Sequence, residues 1–124
     1  MKKFLQKQVR SFQNAFRGIG IACVHELHCK VHLLAMTMVI IAGFAFAVTN
    51  YEWIALLLCI AIVVCLELVN TSLEHLVDIV SPNIQTQARN AKDIAAGAVL
   101  VASIIGIIVA SIIFIPKIAN WWNV

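Results

Sequence analysis

Apolar residues recur along this 124-residue chain with two different periods. Before residue 30, Leu5, Val9, Phe12, Phe16, Ile19, Cys23 and Leu27 return every three or four positions, while Lys3, Lys7, Arg10, Asn14 and Arg17 occupy the opposite side. That spacing predicts a helix with an apolar face and a basic face, suited to lie on a membrane surface or to pack against a bundle. Beyond residue 30 the apolar pattern becomes continuous. Val31–Val48 and Ile94–Ile115 carry no charge, and a third run starts at Trp53. At about 1.5 Å per residue, each is long enough for a hydrocarbon core of about 30 Å. Thr49-Asn50-Tyr51-Glu52 reads as a turn between antiparallel helices. Ser81-Pro82-Asn83 reads as a helix stop that opens a connector running to Asp93. The expectation is an all-α membrane protein of one domain. Residues 1–30 form an amphipathic surface helix, and residues 31–124 form a core of three transmembrane helices spanning 31–48, 53–78 and 94–115.

Composition narrows the functional classes. With 62% hydrophobic and 12% charged residues, the chain has about half the charge of a soluble protein. A net charge of +3, with no basic tract interleaved with aromatics, argues against nucleic acid as a partner. The first thirty residues are charged throughout and lack a short apolar centre, so no cleaved signal peptide is expected. Cys23, Cys29, Cys59 and Cys65 form no C-x-x-C pair and read as small buried apolar groups rather than a disulfide or metal framework. Of the lysines and arginines, six precede the first span, two (Arg89 and Lys92) lie in the second connector, and Lys117 alone follows the third span. The excess of positive charge on one side predicts a cytoplasmic N terminus and second connector, with the C terminus outside. Trp53, Trp121 and Trp122 then fall at the outer interface.

Cys65–Asp78, C-L-E-L-V-N-T-S-L-E-H-L-V-D, breaks the apolar rule. On a helix, taking Glu67 as zero, Asn70 falls at about −60°, Thr71 at about +40°, Glu74 at about −20° and Asp78 at about +20°. One stripe carries all of them, and His75 borders it at about +80°. Counted from Trp53, Glu67 lies roughly 21 Å deep, still inside the hydrocarbon, whereas Glu74 and Asp78 reach or pass its cytoplasmic edge. A carboxylate at that depth is costly, and such residues mark functional sites more often than helix contacts. Glu26, Asp78, Lys92 and Asp93 all fall at the same cytoplasmic level. A buried carboxylate beside an amide, carboxylates nearer water and a lysine suit phosphoryl transfer from Mg-ATP to a lipid hydroxyl: a base, oxygen ligands for a hard cation, and a counter-charge.

E-L-V-N-T-S-L-E at Glu67–Glu74, then Asp78, then A-R-N-A-K-D-I-A-A-G-A-V-L at Ala88–Leu100, resemble the prokaryotic integral-membrane diacylglycerol kinase and undecaprenol kinase family. The likeness runs from A-F-R-G at Ala15–Gly18 to F-I-P-K at Phe114–Lys117. It implies a lipid kinase of the bacterial cytoplasmic membrane that uses ATP with Mg2+ and assembles as a homotrimer of three-span subunits. By the same likeness, Glu67 matches the general base and Asn70 the amide beside it, both in contact with the lipid substrate. Glu26 and Glu74 match metal ligands, and Lys92 matches a phosphate contact. Asp78 and Asp93, with the basic Lys7 and Arg10, complete the implied ATP site. E-L-H-C-K-V-H at Glu26–His32, with Lys30 as a further substrate contact, is closer to the undecaprenol kinase branch, which favours undecaprenol over diacylglycerol. Small residues Ala95, Ala96, Gly97, Ala98 and Ala102 on the third span allow close helix contact.

Two other classes compete. His25, His28 and His32 sit at i, i+3 and i+7 around Glu26, a spacing that would serve a membrane metal transporter or sensor. H-E-L-H is not H-E-x-x-H, so a zinc-protease reading fails on spacing. A non-enzymatic membrane adaptor would leave the Glu67 stripe unexplained.

Overall fold

The amphipathic and continuous apolar patterns meet at Glu26. The computed structural model, which describes residues 1–81 and 85–122, breaks the helix there. Four helices result: α1 (Lys2–His25), α2 (Leu27–Ala45), α3 (Asn50–Val80) and α4 (Thr86–Trp122). Glu26 is extended, at φ −93° and ψ 124°. Its N–H still donates to the Ala22 carbonyl, and its own carbonyl accepts from the Lys30 N–H. One residue therefore closes α1 and opens α2. Residues 27–30, grouped by periodicity with the surface helix, belong instead to α2, because a local backbone angle interrupts the phase that periodicity assumes.

The turn between α2 and α3 comes earlier than the Thr49–Glu52 stretch suggests. Phe46 N–H donates to Ala42 O, Ala47 N–H to Phe44 O and Val48 N–H to Gly43 O. The last two bonds form a Schellman closure around Ala47, which is left-handed at φ 46°. Glycine normally marks that position, so alanine concealed it. Thr49 then caps α3: its side chain accepts from the Glu52 N–H, and its own N–H donates to Glu52 Oε2 at 2.6 Å. The same Oε2 lies 3.2 Å from Lys117 Nζ, which ties the start of α3 to the last turns of α4.

At its other end α3 stops at Val80, with Ser81 as its cap. Pro82 and Asn83, named in the predicted helix stop, lie outside the described residues. α4 begins at Thr86 rather than at the third apolar run, so Arg89, Lys92 and Asp93 stand on a helix and not on a loop. α4 also continues through Pro116, which a transmembrane helix tolerates where neighbouring groups satisfy the freed carbonyl. With 31 residues, α3 is about 46 Å long, well beyond a core of about 30 Å, so its final turns project past the apolar layer.

α2, α3 and α4 are each long and apolar enough to cross a membrane. α3 packs chiefly on α4, and α1 touches α2 and α3 only lightly. The apolar core lies toward the Thr49 end, where Val48, Leu56 and Ile113 are buried with Trp53 and Phe114 against them. Gly43 makes this packing possible. A Cβ there would lie 2.5 Å from Trp53 Cη2, and the indole also packs against Phe44, with ring centroids 5.0 Å apart and planes tilted by 53°.

Two substitutions four residues apart should therefore move stability in opposite directions. Overpacking costs about 1–3 kcal/mol and the helix-propensity gain returns about 1, so Gly43→Ala should lose roughly 1 kcal/mol. Trp53→Leu in the same chain should relieve that loss. Ala47→Gly should gain about 0.5–1 kcal/mol by removing left-handed strain. Thermal unfolding in detergent micelles reads both signs.

Candidate active site

Leu56, Val63, Glu67, Asn70 and Thr71 are the buried residues of α3, and their spacings of seven, four, three and one place them on a single helical face. This face turns inward, with Leu56 and Val63 toward α2 and α4 and Thr71 toward α1, and it changes from apolar to polar along its length. Glu67 is only 3% exposed. Asn70, also buried, donates from Nδ2 to Glu74 Oε1 at 3.0 Å, one turn further on. Asn70 Oδ1 is buried without a hydrogen-bond partner, an acceptor whose desolvation cost is left uncompensated within the described chain.

The predicted site residues separate into groups. Glu67, Asn70 and Glu74 share the inward face of α3. Lys92 Nζ on α4 meets Asp78 Oδ1 on α3 at 2.5 Å and so joins the polar ends of the two long helices. Asp78 is exposed and Lys92 half-buried, so solvent screens the pair and it adds at most about 1 kcal/mol to stability. Asp93 pairs with Arg89, one turn away on its own helix, at 3.7 Å. Glu26 reaches α3 from the α1–α2 junction, its Oε1 lying 3.4 Å from His75 Nε2. Lys30 is exposed at the start of α2. Lys7 and Arg10 stand apart from the rest, lining a shallow concavity formed by α1 alone with Lys3, Gln6, Ser11 and Asn14.

Three features escaped sequence reasoning. Thr71 is as buried as Asn70, although its hydroxyl gave it no special rank within the stripe. His75 falls off the stripe by angle, and only the path of the chain through Glu26 brings a partner to it. The Cys23 and Cys29 sulfurs lie 3.6 Å apart across the same break. The three histidines are divided between two helices: α1 ends at His25, while His28 and His32 belong to α2. Among the described residues, no three His, Cys, Asp or Glu side chains gather closely enough to hold a metal by themselves.

One turn before Glu67, at Leu56–Val63, α3 lines a cavity of about 300 Å³ between α2, α3 and α4. His32, Met36, Leu56, Val63 and Ser103 are among its lining residues, and Ser103 Oγ is buried there without a partner among the described residues. The apolar cavity at Leu56 and Val63, the Glu67 carboxylate and the Asn70 amide thus follow one another along one helix face.

The sequence profile described as prokaryotic diacylglycerol kinase matches residues 13–114. The chain belongs to the prokaryotic diacylglycerol kinase family. It is a membrane lipid kinase. Among characterised relatives, it is similar to an undecaprenol kinase of Bacillus subtilis (strain 168), 38% identical over 114 residues, which cover 92% of this chain and 93% of that protein. It is also 34% identical over 111 residues to a diacylglycerol kinase of Synechocystis, covering 89% of this chain and 63% of that protein. A diacylglycerol kinase of Sinorhizobium is 30% identical over 77 residues, 62% of this chain and 56% of that protein. No solved structure matches the chain.

In this kinase, the burial of Glu67 should cost stability. Glu67→Leu is expected to raise the thermal midpoint in micelles by the equivalent of about 1–2 kcal/mol, because an apolar side chain suits that depth better than a carboxylate. A lower midpoint would mean that Glu67 instead holds helices together.

Proposed function

We propose that this protein transfers the γ-phosphoryl group of Mg-ATP to the terminal hydroxyl of undecaprenol. The observation that carries this reading is the graded inner face of α3: a chamber for hydrocarbon, then buried Glu67, then the Asn70–Glu74 pair at the polar end. Undecaprenol is favoured over diacylglycerol because the undecaprenol kinase relative aligns over nearly the whole of both chains.

In the proposed reaction the lipid hydroxyl meets Glu67 at the boundary between chamber and polar end. Glu67 accepts the hydroxyl proton as the lipid oxygen forms its bond to the γ-phosphorus. The bond from that phosphorus to the β–γ bridging oxygen breaks, which releases ADP and leaves a lipid phosphate monoester. Asn70, fixed through its Nδ2 to Glu74, orients the acceptor end with Glu67. Lys92 offsets phosphate charge, and Asp78 holds Lys92 in reach until the nucleotide arrives. Asp93, Lys7 and Arg10 contribute to nucleotide binding, and Lys30 contacts the lipid headgroup region.

The donor set fits Mg2+. Glu26, Glu74 and the unpartnered Asn70 Oδ1 are all hard oxygen donors, and their small number suits an ion that keeps waters and shares the phosphates of its nucleotide. When bound, Mg2+ neutralises charge on the transferred group. The reading places the N terminus and the polar end of the bundle in the bacterial cytoplasm, where ATP is. It also includes a homotrimer. Many large apolar side chains of α2–α4 face outward, and among the described residues nothing lies within 4 Å of where a Cβ at Gly97 would stand. A neighbouring subunit would bring further surface to the nucleotide side.

Purified protein in mixed micelles should move label from γ-labelled ATP to undecaprenol faster than to diacylglycerol or short polyprenols. Glu67→Gln should slow that transfer by about 10²–10⁴-fold. Faster labelling of diacylglycerol would make this a diacylglycerol kinase, and no labelled lipid at all would remove the kinase reading. Transfer untouched by Glu67→Gln would take the base role from Glu67.

A further inference from the structure

Glu26 is the single extended residue between two helices, and its partner on α3, His75, has no part in the reaction described above. Glu26 and Glu74, the two carboxylates assigned to the cation, stand on different segments. One belongs to the α1–α2 junction and the other to α3. α1 meets α3 only lightly, so few contacts set the distance between these carboxylates. His75 follows Glu74 directly in sequence and reaches the junction: its Nε2 lies 3.4 Å from Glu26 Oε1.

We propose that His75 is a positioning residue that holds the Glu26 carboxylate at the cation site beside Glu74. A carboxylate only accepts hydrogen bonds, so His75 contributes an Nε2–H donor. That bond occupies one acceptor position of Glu26 and leaves the others to a cation. Mg2+ demands near-octahedral geometry and takes only one or two carboxylates. A ligand on a flexible side chain at a helix break therefore gains from being oriented beforehand. Hydrogen bonds of this kind to metal ligands change metal affinity by about 10–100-fold when removed. Their effect on folding is small where both groups are partly exposed, as here, with side chains 55% and 29% accessible.

The inference rests on the reading of Glu26 as a cation ligand, and the experiment separates the two. Met and Gln have similar length and shape, but only Gln supplies an N–H donor. Mn2+ binding to the full-length protein in micelles, with a non-hydrolysable ATP analogue present, would be followed by electron paramagnetic resonance for the wild type, Glu26→Gln, His75→Met and His75→Gln. His75→Met should weaken Mn2+ binding about tenfold, and His75→Gln should recover most of that loss. In lipid phosphorylation, His75→Met should raise the Mg2+ concentration for half-maximal rate far more than it lowers kcat at saturating Mg2+. Equal Mn2+ affinity in His75→Met and wild type, or equal weakening in the Met and Gln variants, would overturn the role of His75 while Glu26 stands. If Glu26→Gln leaves Mn2+ binding unchanged, the ligand reading of Glu26 falls and this inference falls with it.

Discussion

The Glu67 carboxylate, buried at apolar depth, is the constraint to which the rest of the fold answers. A charge-bearing group cannot sit against hydrocarbon without large cost, so α3 must present its face to protein. That requirement aligns Leu56, Val63, Asn70 and Thr71 inward with Glu67 and leaves residues such as Ile62 and Val69 outward. It also explains why α3 occupies the middle of the bundle, packed against both α2 and α4.

The packed apolar core and the polar contacts between helices lie at opposite ends of the same helices. At the Thr49 end, the capping box, the Lys117–Glu52 pair and the Gly43–Trp53 contact fix the geometry within a packed apolar core. At the other end, the links are polar and more exposed: Lys92 to Asp78 and His75 to Glu26. Such contacts contribute little to stability but set the direction of charged groups.

The family assignment and the geometry address different questions. Similarity over most of the chain establishes a membrane lipid kinase. The geometry shows how its polar groups differ: among the described residues Asn70 is a buried amide with an unused acceptor beside the Glu74 carboxylate, whereas Arg89 and Asp93 pair on an exposed helix face.

What the sequence determined by itself was the sum of local terms. Hydropathy and length gave three spans and an amphipathic preface, and the 3.6-residue period put Glu67, Asn70 and Glu74 on one stripe of α3, since neighbours along a helix face are set by the helix alone. Local backbone angles were less legible. Ala47 adopts a conformation that alanine rarely signals, and Glu26 interrupts a periodicity that seemed to pass through it. Tertiary structure alone decided the contacts between helices. Residues 49 positions apart, Glu26 and His75, meet, and Lys92 finds Asp78, because chain reversal and packing, rather than spacing, bring their elements together. The same packing decided that Lys7 and Arg10 stay on α1 apart from the other candidate residues, a separation that no pattern along the chain could reveal.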